Sequence, residues 1–358
     1  MLVSRCVQYA ARVARATTLA LVPMLASSKP VLILHGGAGA MRALAESDES
    51  RYRKGLREAC AKGSAILESG GLALDAVSEA VRVMEDLGDF NAGLGSCLTI
   101  DGEIEMDAAV MRGSDRGFGA VAGIRGVANP VLVARKVMEE TRYCILGAEG
   151  AVNFAREQGL GFREDFPSAS RREDWQRKKI SVASKGGLES GGLAALGGVL
   201  GRPSGPPDPL DEVSDTVGAC ALDAHGGMAT AVSTGGLWLK RAGRIGDSPL
   251  PGAGLWAVDG IGAAVSTGTG ETILRTLLCK EVVDRMPLGA EGACGEGIAL
   301  LEATFGPGTA GVIAIDSQGR AGFALNTRGM GRALWTGDMA EPAVAVWPDE
   351  SWDRMDVP

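Results

Sequence analysis

From Val31 onward, apolar residues form short continuous runs and helical stripes in alternation. The run VLILHGGAGA at 31–40 predicts a buried strand followed by a turn at its glycines. Residues 51–69 and 72–86 predict two helices, because apolar residues recur there at helical spacing. Another helix is predicted where Pro130 opens the segment PVLVARKVMEE, since proline fits the first turn of a helix. Strands and helices are therefore mixed along the chain.

The C-terminal part of the chain contains two segments with the same pattern. VGACALDAHGGMATAVSTGG (217–236) and AGVIAIDSQGRAGFALNTRG (310–329) each read as an apolar strand, an Asp-x-x-Gly turn and a second strand. Each segment predicts a β-hairpin. Between them, residues 260–286 predict a strand, a turn at Gly268 and Gly270, and a helix whose apolar face includes Ile273, Leu274, Leu277 and Leu278.

Residues 160–214 have a different character. They are rich in serine, glycine, proline and charge and show little periodicity, which predicts a mobile linker. A loop of this length inside a compact protein is uncommon and is usually either functional or disordered. It ends directly before Asp215 and Thr216.

Composition narrows the class of protein. With 358 residues, the chain is one large domain or two interlocked halves. Apolar residues make up 46%, and no run is long enough for a membrane helix. A net charge of -8 without a basic stripe disfavours nucleic acid as a partner. The seven cysteines are odd in number and contain no CxxC pair, which favours free thiols in a reducing compartment such as the cytoplasm.

Residues 1–29 differ from the rest of the chain in charge. They contain Arg5, Arg12 and Arg15, and the first acidic residue of the chain is Glu46. This pattern fits a mitochondrial transit peptide, while a weak secretory segment and a plain extension are the alternatives.

The candidate chemistry centres on a threonine. Nucleotide binding is disfavoured, because HGGAGAMR lacks the third glycine of a dinucleotide loop and TGTGET lacks the lysine of a P-loop. His35 and His225 are not near a nucleophile elbow, which argues against a serine–histidine triad. A threonine at the start of a chain needs no histidine, because its own α-amine, with a pKa of about 8, is the base. Thr216 reaches that state only if the Asp215–Thr216 bond is cleaved.

Seven segments in chain order resemble one family. They are HGGAGA, FNAGLGSCLTIDGEIEMDAAVM, ANPVLVARKVME, DTVGACALD, AVSTGGLWLKRAGRIGDSPLPGAG, VSTGTGE and LNTRGM. Together they are similar to the plant-type (type III) asparaginases with isoaspartyl peptidase activity, which are N-terminal-nucleophile hydrolases. The resemblance implies an α+β fold, a four-layer αββα sandwich. It also implies self-cleavage into an α subunit (30–215) and a β subunit (216–358).

The resemblance assigns roles to individual residues. Thr216 matches the released nucleophile, Thr234 the threonine that hydrogen-bonds it, and Asn91 an asparagine near the nucleophile that is implicated in self-cleavage. Thr267 and Gly268 match contacts to the substrate side chain and its oxyanion, in a turn completed by Thr269 and Gly270.

The segment GRIGDSP matches the family's substrate clamp. An arginine fork suits a carboxylate and an aspartate suits an ammonium group, so Arg244 and Asp247 can hold both ends of an α-amino acid. Ile245 and Gly246 lie between them.

The resemblance also implies a structural sodium ion and an oligomer. Main-chain carbonyls suit a hard cation, and by position the donors are those of Met84, Glu85, Leu87, Phe90, Ala92 and Leu94. No other cofactor is expected, and the partner is a small-molecule substrate. Family members are commonly dimers of cleaved αβ protomers.

The implied activity is hydrolysis of L-asparagine and β-aspartyl dipeptides, and three alternatives stay open. A taspase-like threonine endopeptidase also carries DTVGA but lacks the acid that grips a free α-amine. A glycosylasparaginase typically shows STNG and TGNGD where this chain has STGG and TGTGE. An unprocessed homologue that only binds ligands is the non-enzymatic alternative.

Overall fold

The computed structural model describes residues 29–39, 46–184 and 216–350. Twelve strands form two sheets in this part of the chain. In chain order they are β1 (Val31–Gly39), β2 (Met106–Arg112), β3 (Phe118–Ile124), β4 (Ile145–Gly147), β5 (Val217–Leu222), β6 (Met228–Thr234), β7 (Leu255–Val258), β8 (Gly262–Gly268), β9 (Ala310–Asp316), β10 (Ala321–Leu325), β11 (Gly329–Thr336) and β12 (Ala343–Ala345).

The helices of the described residues cover the outer faces of the sheets. They are α1 (Glu46–Glu68), α2 (Ala73–Leu87), α3 (Pro130–Glu140), α4 (Ala148–Glu157), α5 (Ala169–Ser184), α6 (Gly270–Thr276), α7 (Leu278–Asp284) and α8 (Ala290–Phe305). The predicted helices at 51–69 and 72–86 correspond to α1 and α2, and Pro130 opens α3 as expected.

The two sheets pack face to face between the helical layers. The larger sheet has the order β12-β11-β1-β5-β6-β2-β3-β4, and the smaller has the order β10-β9-β8-β7. Alternation along β1 sends Leu32 and Leu34 toward the helices α1 and α2, and Val31 and Ile33 toward the smaller sheet. Helices α6, α7 and α8 cover the other face of the smaller sheet. The predicted α+β, four-layer αββα sandwich is confirmed.

Strands from the two sides of Thr216 are interleaved in the larger sheet. Strand β5, which starts one residue after Thr216, pairs with β1 on one side and β6 on the other. Strand β6 pairs in turn with β2, which precedes the candidate cleavage point. The two halves of the chain are therefore interlocked in one core.

The prediction of a turn at the glycines after the first strand is wrong. The strand continues through its glycines to Gly39, with an irregular register between His35 and Gly37. A Cβ at Gly36 would lie 2.6 Å from the Tyr52 hydroxyl. These glycines therefore let α1 approach the strand closely instead of ending it.

The single helix predicted after Gly270 is also interrupted. Leu277 adopts the left-handed conformation with φ 51° and separates α6 from α7. Its side chain is 48% exposed, whereas Ile273 and Leu278 are buried as expected. The sequence does not indicate this break, because the apolar period continues through Leu277 and no glycine or proline lies beside it.

Part of the predicted linker is a helix. Helix α5 covers 169–184, so the expectation of a mobile segment is wrong for these residues. The Trp175 indole donates a hydrogen bond to the Thr99 carbonyl oxygen at 2.9 Å, and Arg171 donates to the Gly88 carbonyl oxygen at 3.1 Å. These contacts, with Arg171 and Lys178 over the Trp238 ring, fasten a highly charged helix whose sequence shows no apolar stripe. Linker residues 185–214, Asp215 and residues 1–28 lie outside the described residues.

Across the described ranges, every helix is too short or too polar to traverse a lipid bilayer.

Candidate active site

Thr216 stands at the start of a central strand of the larger sheet. Its side chain is only 5% exposed. Val217 packs toward the helical layer, so alternation places Thr216 on the side of the smaller sheet. The candidate nucleophile therefore lies at the rim of the space between the two sheets.

The Thr216 hydroxyl has a hydroxyl neighbour that the sequence reasoning missed. Thr216 Oγ1 and Ser248 Oγ are 3.5 Å apart, and Ser248 is fully buried. The available signal was its position directly after Asp247 in the GRIGDSP segment. Ser248 can accept or donate a hydrogen bond, so it is placed to orient the threonine hydroxyl.

Thr234, at the end of β6, lines the same pocket as Thr216, from the strand that pairs with β5. Its Oγ1 accepts a hydrogen bond from the Gly236 amide at 2.9 Å. Gly236 has φ 75°, and a Cβ there would lie 2.7 Å from the Lys240 ammonium nitrogen. In the described residues, the recorded partner of the Thr216 hydroxyl is Ser248, so the predicted hydrogen bond from Thr234 to the nucleophile stays a prediction.

Asn91 supports the turn that carries Thr234 and Gly236. Its side-chain Nδ2 donates to the Gly236 carbonyl at 2.6 Å, and its Oδ1 accepts from the Cys97 amide at 2.7 Å. Its own carbonyl accepts from the Gly235 amide at 3.0 Å. Asn91 thus fixes the backbone on the Thr234 side of the pocket.

One pocket brings most of the predicted site together. Its lining consists of Thr216, Thr234, Gly236, Leu237, Arg244, Gly246, Asp247 and Gly268. Ile245 is outside this lining and is 46% exposed. The candidate nucleophile, an arginine, an aspartate and a glycine of the turn therefore face one small volume.

Asp247 is a buried carboxylate in the pocket lining. It is 4% exposed, and its Oδ2 has no hydrogen-bond partner among the described residues. Burial raises the pKa of Asp247 to about 7, and the nearby Arg244 charge opposes this rise. A buried charge without a partner is costly, so a ligand ammonium group would relieve that cost.

Arg244 is already engaged by another carboxylate. Its Nε donates to Glu271 Oε1 at 3.0 Å and its Nη2 donates to Glu271 Oε2 at 2.9 Å. This glutamate ends the motif TGTGE, and nothing in the motif indicates its contact with Arg244.

The glycine turn after β8 is shaped by close approaches. Gly268 has φ 133°, and a Cβ there would clash with the Thr309 carbonyl oxygen. The buried Thr267 accepts a hydrogen bond from the Ala38 amide at 3.3 Å. A Cβ at Gly270 would lie 2.7 Å from Arg244 Nη2 and 2.9 Å from Asp247 Oδ1. Glycine at 270 therefore allows the clamp to lie against the start of α6.

The amides of this turn are not all available to a ligand. The Thr269 amide donates to the Thr309 carbonyl oxygen at 2.8 Å, whereas Gly268 lines the pocket. The predicted contacts of Thr267 and Gly268 with the substrate side chain and its oxyanion stay a prediction.

His35 is buried beside the nucleophile strand. Burial lowers the pKa of His35 to about 3, and the Thr216 backbone opposes this only in part. A Cβ at Gly218, its partner in β5, would lie 2.6 Å from His35 Nε2. The histidine is therefore neutral and packs against the strand that begins after Thr216.

Two acidic residues of the β2 segment hold the loop that carries the clamp. Glu105 Oε2 accepts from the Gly243 amide at 2.7 Å, and Asp107 Oδ2 accepts from the Gly246 amide at 3.5 Å. The buried Lys240 donates to the Glu105 carbonyl at 2.7 Å. Local sequence patterns do not indicate these contacts, because more than a hundred residues separate the partners.

The segment predicted to hold sodium is tightly curled. A Cβ at Gly93 would clash with the Glu85 carbonyl oxygen, and one at Gly95 with the Phe90 carbonyl oxygen. The Phe90 carbonyl accepts from the Ala92 amide at 2.8 Å. Since a carbonyl oxygen has two lone pairs, these oxygens retain capacity for a hard cation and fit the predicted ligand type.

A larger cavity lies at the β7 edge of the smaller sheet. Its volume is about 500 Å³, and Trp256, Ile261 and Met286 contribute to its lining. Its lysine, Lys280, is paired with Asp284 at 2.5 Å. It contains none of the residues that the sequence reasoning assigned to chemistry.

Comparison with known proteins places the chain among enzymes of one kind. A profile of the family described as Asparaginase matches residues 28–344. The chain is 44% identical over 320 residues to the plant-type L-asparaginase of Pyrococcus furiosus, covering 88% of this chain and 99% of that protein. It is 40% identical over 315 residues to the isoaspartyl peptidase of Salmonella typhimurium, covering 86% and 95%.

A third relative carries both names. The isoaspartyl peptidase/L-asparaginase of Xenopus laevis is 39% identical over 304 residues, which covers 83% of this chain and 90% of that protein. The family profile and these relatives extend across both sheets and the pocket around Thr216. The chain belongs to the asparaginase family.

Proposed function

We propose that this protein hydrolyses the side-chain amide of L-asparagine and the isopeptide bond of β-aspartyl dipeptides. Its relatives are named for one or both activities. The observation that carries the proposal is the buried Asp247 carboxylate, with Oδ2 unpartnered in the described residues, in the same pocket as Thr216 and Arg244. This arrangement suits a small substrate with a free α-amine and a free α-carboxylate.

The chemistry follows from a threonine that starts a chain. Thr216 Oγ1 attacks the substrate side-chain carbonyl carbon, and its proton passes to the α-amine. The carbon–nitrogen bond then breaks, the leaving amine takes the proton, and an aspartyl ester remains on Thr216. A water that gives its proton to the amine hydrolyses this ester and releases aspartate.

The same reasoning requires maturation by self-cleavage. The Thr216 α-amine exists only after the Asp215–Thr216 bond is broken. In the uncleaved chain the Thr216 hydroxyl is the candidate nucleophile for that bond, and Ser248 is placed to orient it. Asn91 supports the turn after β6, through the Gly236 carbonyl.

The experiment that tests this function is Thr216→Ala. We expect a single uncleaved chain and no ammonia release from L-asparagine, whereas the wild type gives two fragments, the second beginning Thr-Val-Gly-Ala. The matched control is Thr230→Ala, which removes a buried threonine hydroxyl from β6 outside the pocket lining. Normal cleavage and ammonia release by Thr216→Ala would reject the proposal.

Three substrates separate the alternatives. A taspase-like endopeptidase would cleave protein substrates, and a glycosylasparaginase would release sugar from a glycosylated asparagine. We expect ammonia from L-asparagine and leucine from β-aspartyl-leucine, because Asp247 is placed for a free α-amine. A wild type that cleaves fully but acts on neither substrate would favour one of the alternatives.

We also propose a structural sodium ion at the main-chain carbonyls of the loop before Gly95, supported by the tight curl of that loop. Exchange of sodium for choline at constant ionic strength should lower the melting temperature. The dimer of cleaved αβ protomers stays a prediction. The molar mass of the native protein, measured by light scattering, tests it.

The compartment that we propose is the cytoplasm. The support is that the six cysteines within the described residues are all free thiols, five of them buried. Mitochondrial targeting through residues 1–29 remains the alternative, and fractionation of cells that express the full chain distinguishes the two.

A further inference from the structure

Glu271 binds the one arginine of the substrate pocket. It lies in the first turn of α6, directly after Gly270. Its two carboxylate oxygens accept hydrogen bonds from Arg244 Nε and Nη2, at 3.0 and 2.9 Å. The Arg244 side chain is 17% exposed and that of Glu271 is 36% exposed, so the pair is partly shielded from water.

This pairing leaves one edge of the guanidinium free. A guanidinium carries five N–H groups in a plane, and the Glu271 carboxylate uses one on Nε and one on Nη2. The remaining fork, formed by Nη1 and Nη2, matches a second carboxylate. A Cβ at Gly246 would lie 2.8 Å from Nη1, so that nitrogen lies beside a residue of the pocket lining.

Without Glu271, Arg244 has another acid at hand. Asp247 is close enough for the Arg244 charge to oppose the rise in its pKa, and Asp247 Oδ2 has no hydrogen-bond partner in the described residues. An unrestrained guanidinium would gain a charge-assisted hydrogen bond by turning to that oxygen. Arg244 and Asp247 would then pair with each other, and neither would be available to the substrate.

We propose that Glu271 is a positioning residue, which holds Arg244 apart from Asp247 with its free fork toward the pocket and thereby sets selectivity for substrates with a free α-carboxylate. This inference deepens the proposed function and rests on it. Glu271 does not contact the reacting atoms. It acts through Arg244, so its loss should affect recognition of the carboxylate more than the turnover of bound substrate.

The test compares two substrates that differ only at the α-carboxylate. L-asparagine carries it, and L-asparaginamide has an amide in its place. In Glu271→Gln the amide NH₂ group must face one of the two arginine N–H donors, so the bidentate pair is lost. We expect the wild-type preference in kcat/KM for L-asparagine over L-asparaginamide to fall by about tenfold or more, mainly through a higher KM for L-asparagine.

The matched control is Glu281→Gln, which removes a similar glutamate–arginine pair, with Arg285, from α7 away from the pocket. It should retain the wild-type preference. Glu271→Asp keeps the charge but is one methylene shorter, and we expect an intermediate preference. The appearance of both cleavage fragments reports that each variant folds.

The outcomes are distinguishable from failure of the proposed function. If the wild type releases no ammonia from L-asparagine, the proposed function is wrong. If the wild type is active and Glu271→Gln keeps the full preference, or loses activity on both substrates equally, Glu271 does not position Arg244 for the carboxylate. If Glu271→Gln does not fold, Glu271→Asp decides, and an unchanged preference in that variant overturns the inference.

Discussion

At the scale of single residues, the pocket combines one paired charge with one unpaired charge. Arg244 is held by Glu271, whereas Asp247 Oδ2 lacks a hydrogen-bond partner within the described chain. Burial raises the pKa of Asp247 to about 7. Its ionisation therefore falls in the range where the enzyme is expected to work, and it should be visible in the kinetics.

The first prediction concerns Asp247→Asn. An ammonium substrate needs the ionised carboxylate, so wild-type kcat/KM for L-asparagine should fall as pH drops through about 7. The variant should lose this fall below about pH 7. It should keep the fall below about pH 8 that reports protonation of the Thr216 α-amine, and its KM should be higher by about tenfold or more. The measurement is kcat/KM against pH, with Asp284→Asn as a surface control. If kcat/KM of Asp247→Asn still fell through about pH 7 as in the wild type, Asp247 would not be the group that binds the ammonium.

The same residue should cost stability at neutral pH. The folded-state pKa of Asp247 lies above its unfolded value, so its favourable contribution is present at low pH and is lost as pH rises through about 7. We therefore expect Asp247→Asn to melt at a higher temperature than the wild type at about pH 8, by about 2 °C or more. Equal melting temperatures would mean that the buried charge is compensated.

At the scale of elements, the clamp depends on how one loop is fastened to one strand. The loop from Gly243 to Asp247 has little regular structure. Its Gly243 and Gly246 amides donate to carboxylates at the start of β2. The precise placement of Arg244 and Asp247 therefore comes from acidic residues that do not line the pocket.

The prediction at this scale is Asp107→Asn. Asp107 accepts from the Gly123 amide at 2.8 Å and from the Gly246 amide at 3.5 Å. An asparagine NH₂ group must face one of these donors, so we expect a loss of about 1–3 kcal/mol of stability and a raised KM with a smaller change in kcat. Thermal melts and steady-state kinetics test this. Asp101→Asn, on the exposed turn before β2, is the control and should leave KM unchanged.

At the scale of the whole molecule, the strands on the two sides of the candidate cleavage point share one core. Strand β5 begins after Thr216 and lies between β1, from before the cut, and β6, from after it. The larger sheet therefore contains strands of both fragments, while the smaller sheet belongs entirely to the second fragment. Cleavage there would remove one covalent link and leave the packing of the two sheets in place.

The prediction at this scale follows from the interleaving of the strands. The two fragments should separate in denaturing electrophoresis but elute together under native conditions and unfold in one transition, because neither fragment has a complete larger sheet. Calorimetry and size-exclusion chromatography of the cleaved protein measure this. Two separate unfolding transitions, or elution of a lone fragment, would show that the halves fold independently.

The sequence by itself determined the family, the fold class and most of the residues that meet in the pocket. Local patterns were sufficient to predict α1, α2 and the two hairpins, because their apolar residues recur at the spacing of a helix or as strands around a turn. The motifs around Thr216, Arg244, Asp247 and Gly268 were sufficient to place these residues in one site. They lie in segments that are recognisable without knowledge of their contacts.

Only the tertiary structure decided what each of those residues touches. Ser248 beside Thr216, Glu271 on Arg244 and Asp107 under the clamp loop are contacts between segments separated by 27 residues or more. The break at Leu277 and the helix within the predicted linker were likewise hidden, since neither has a local sequence signal. Hydrogen bonds between distant segments leave no periodic pattern in the sequence. The pairing of Arg244 with Glu271 and the raised pKa of Asp247 therefore follow only from how these segments pack together.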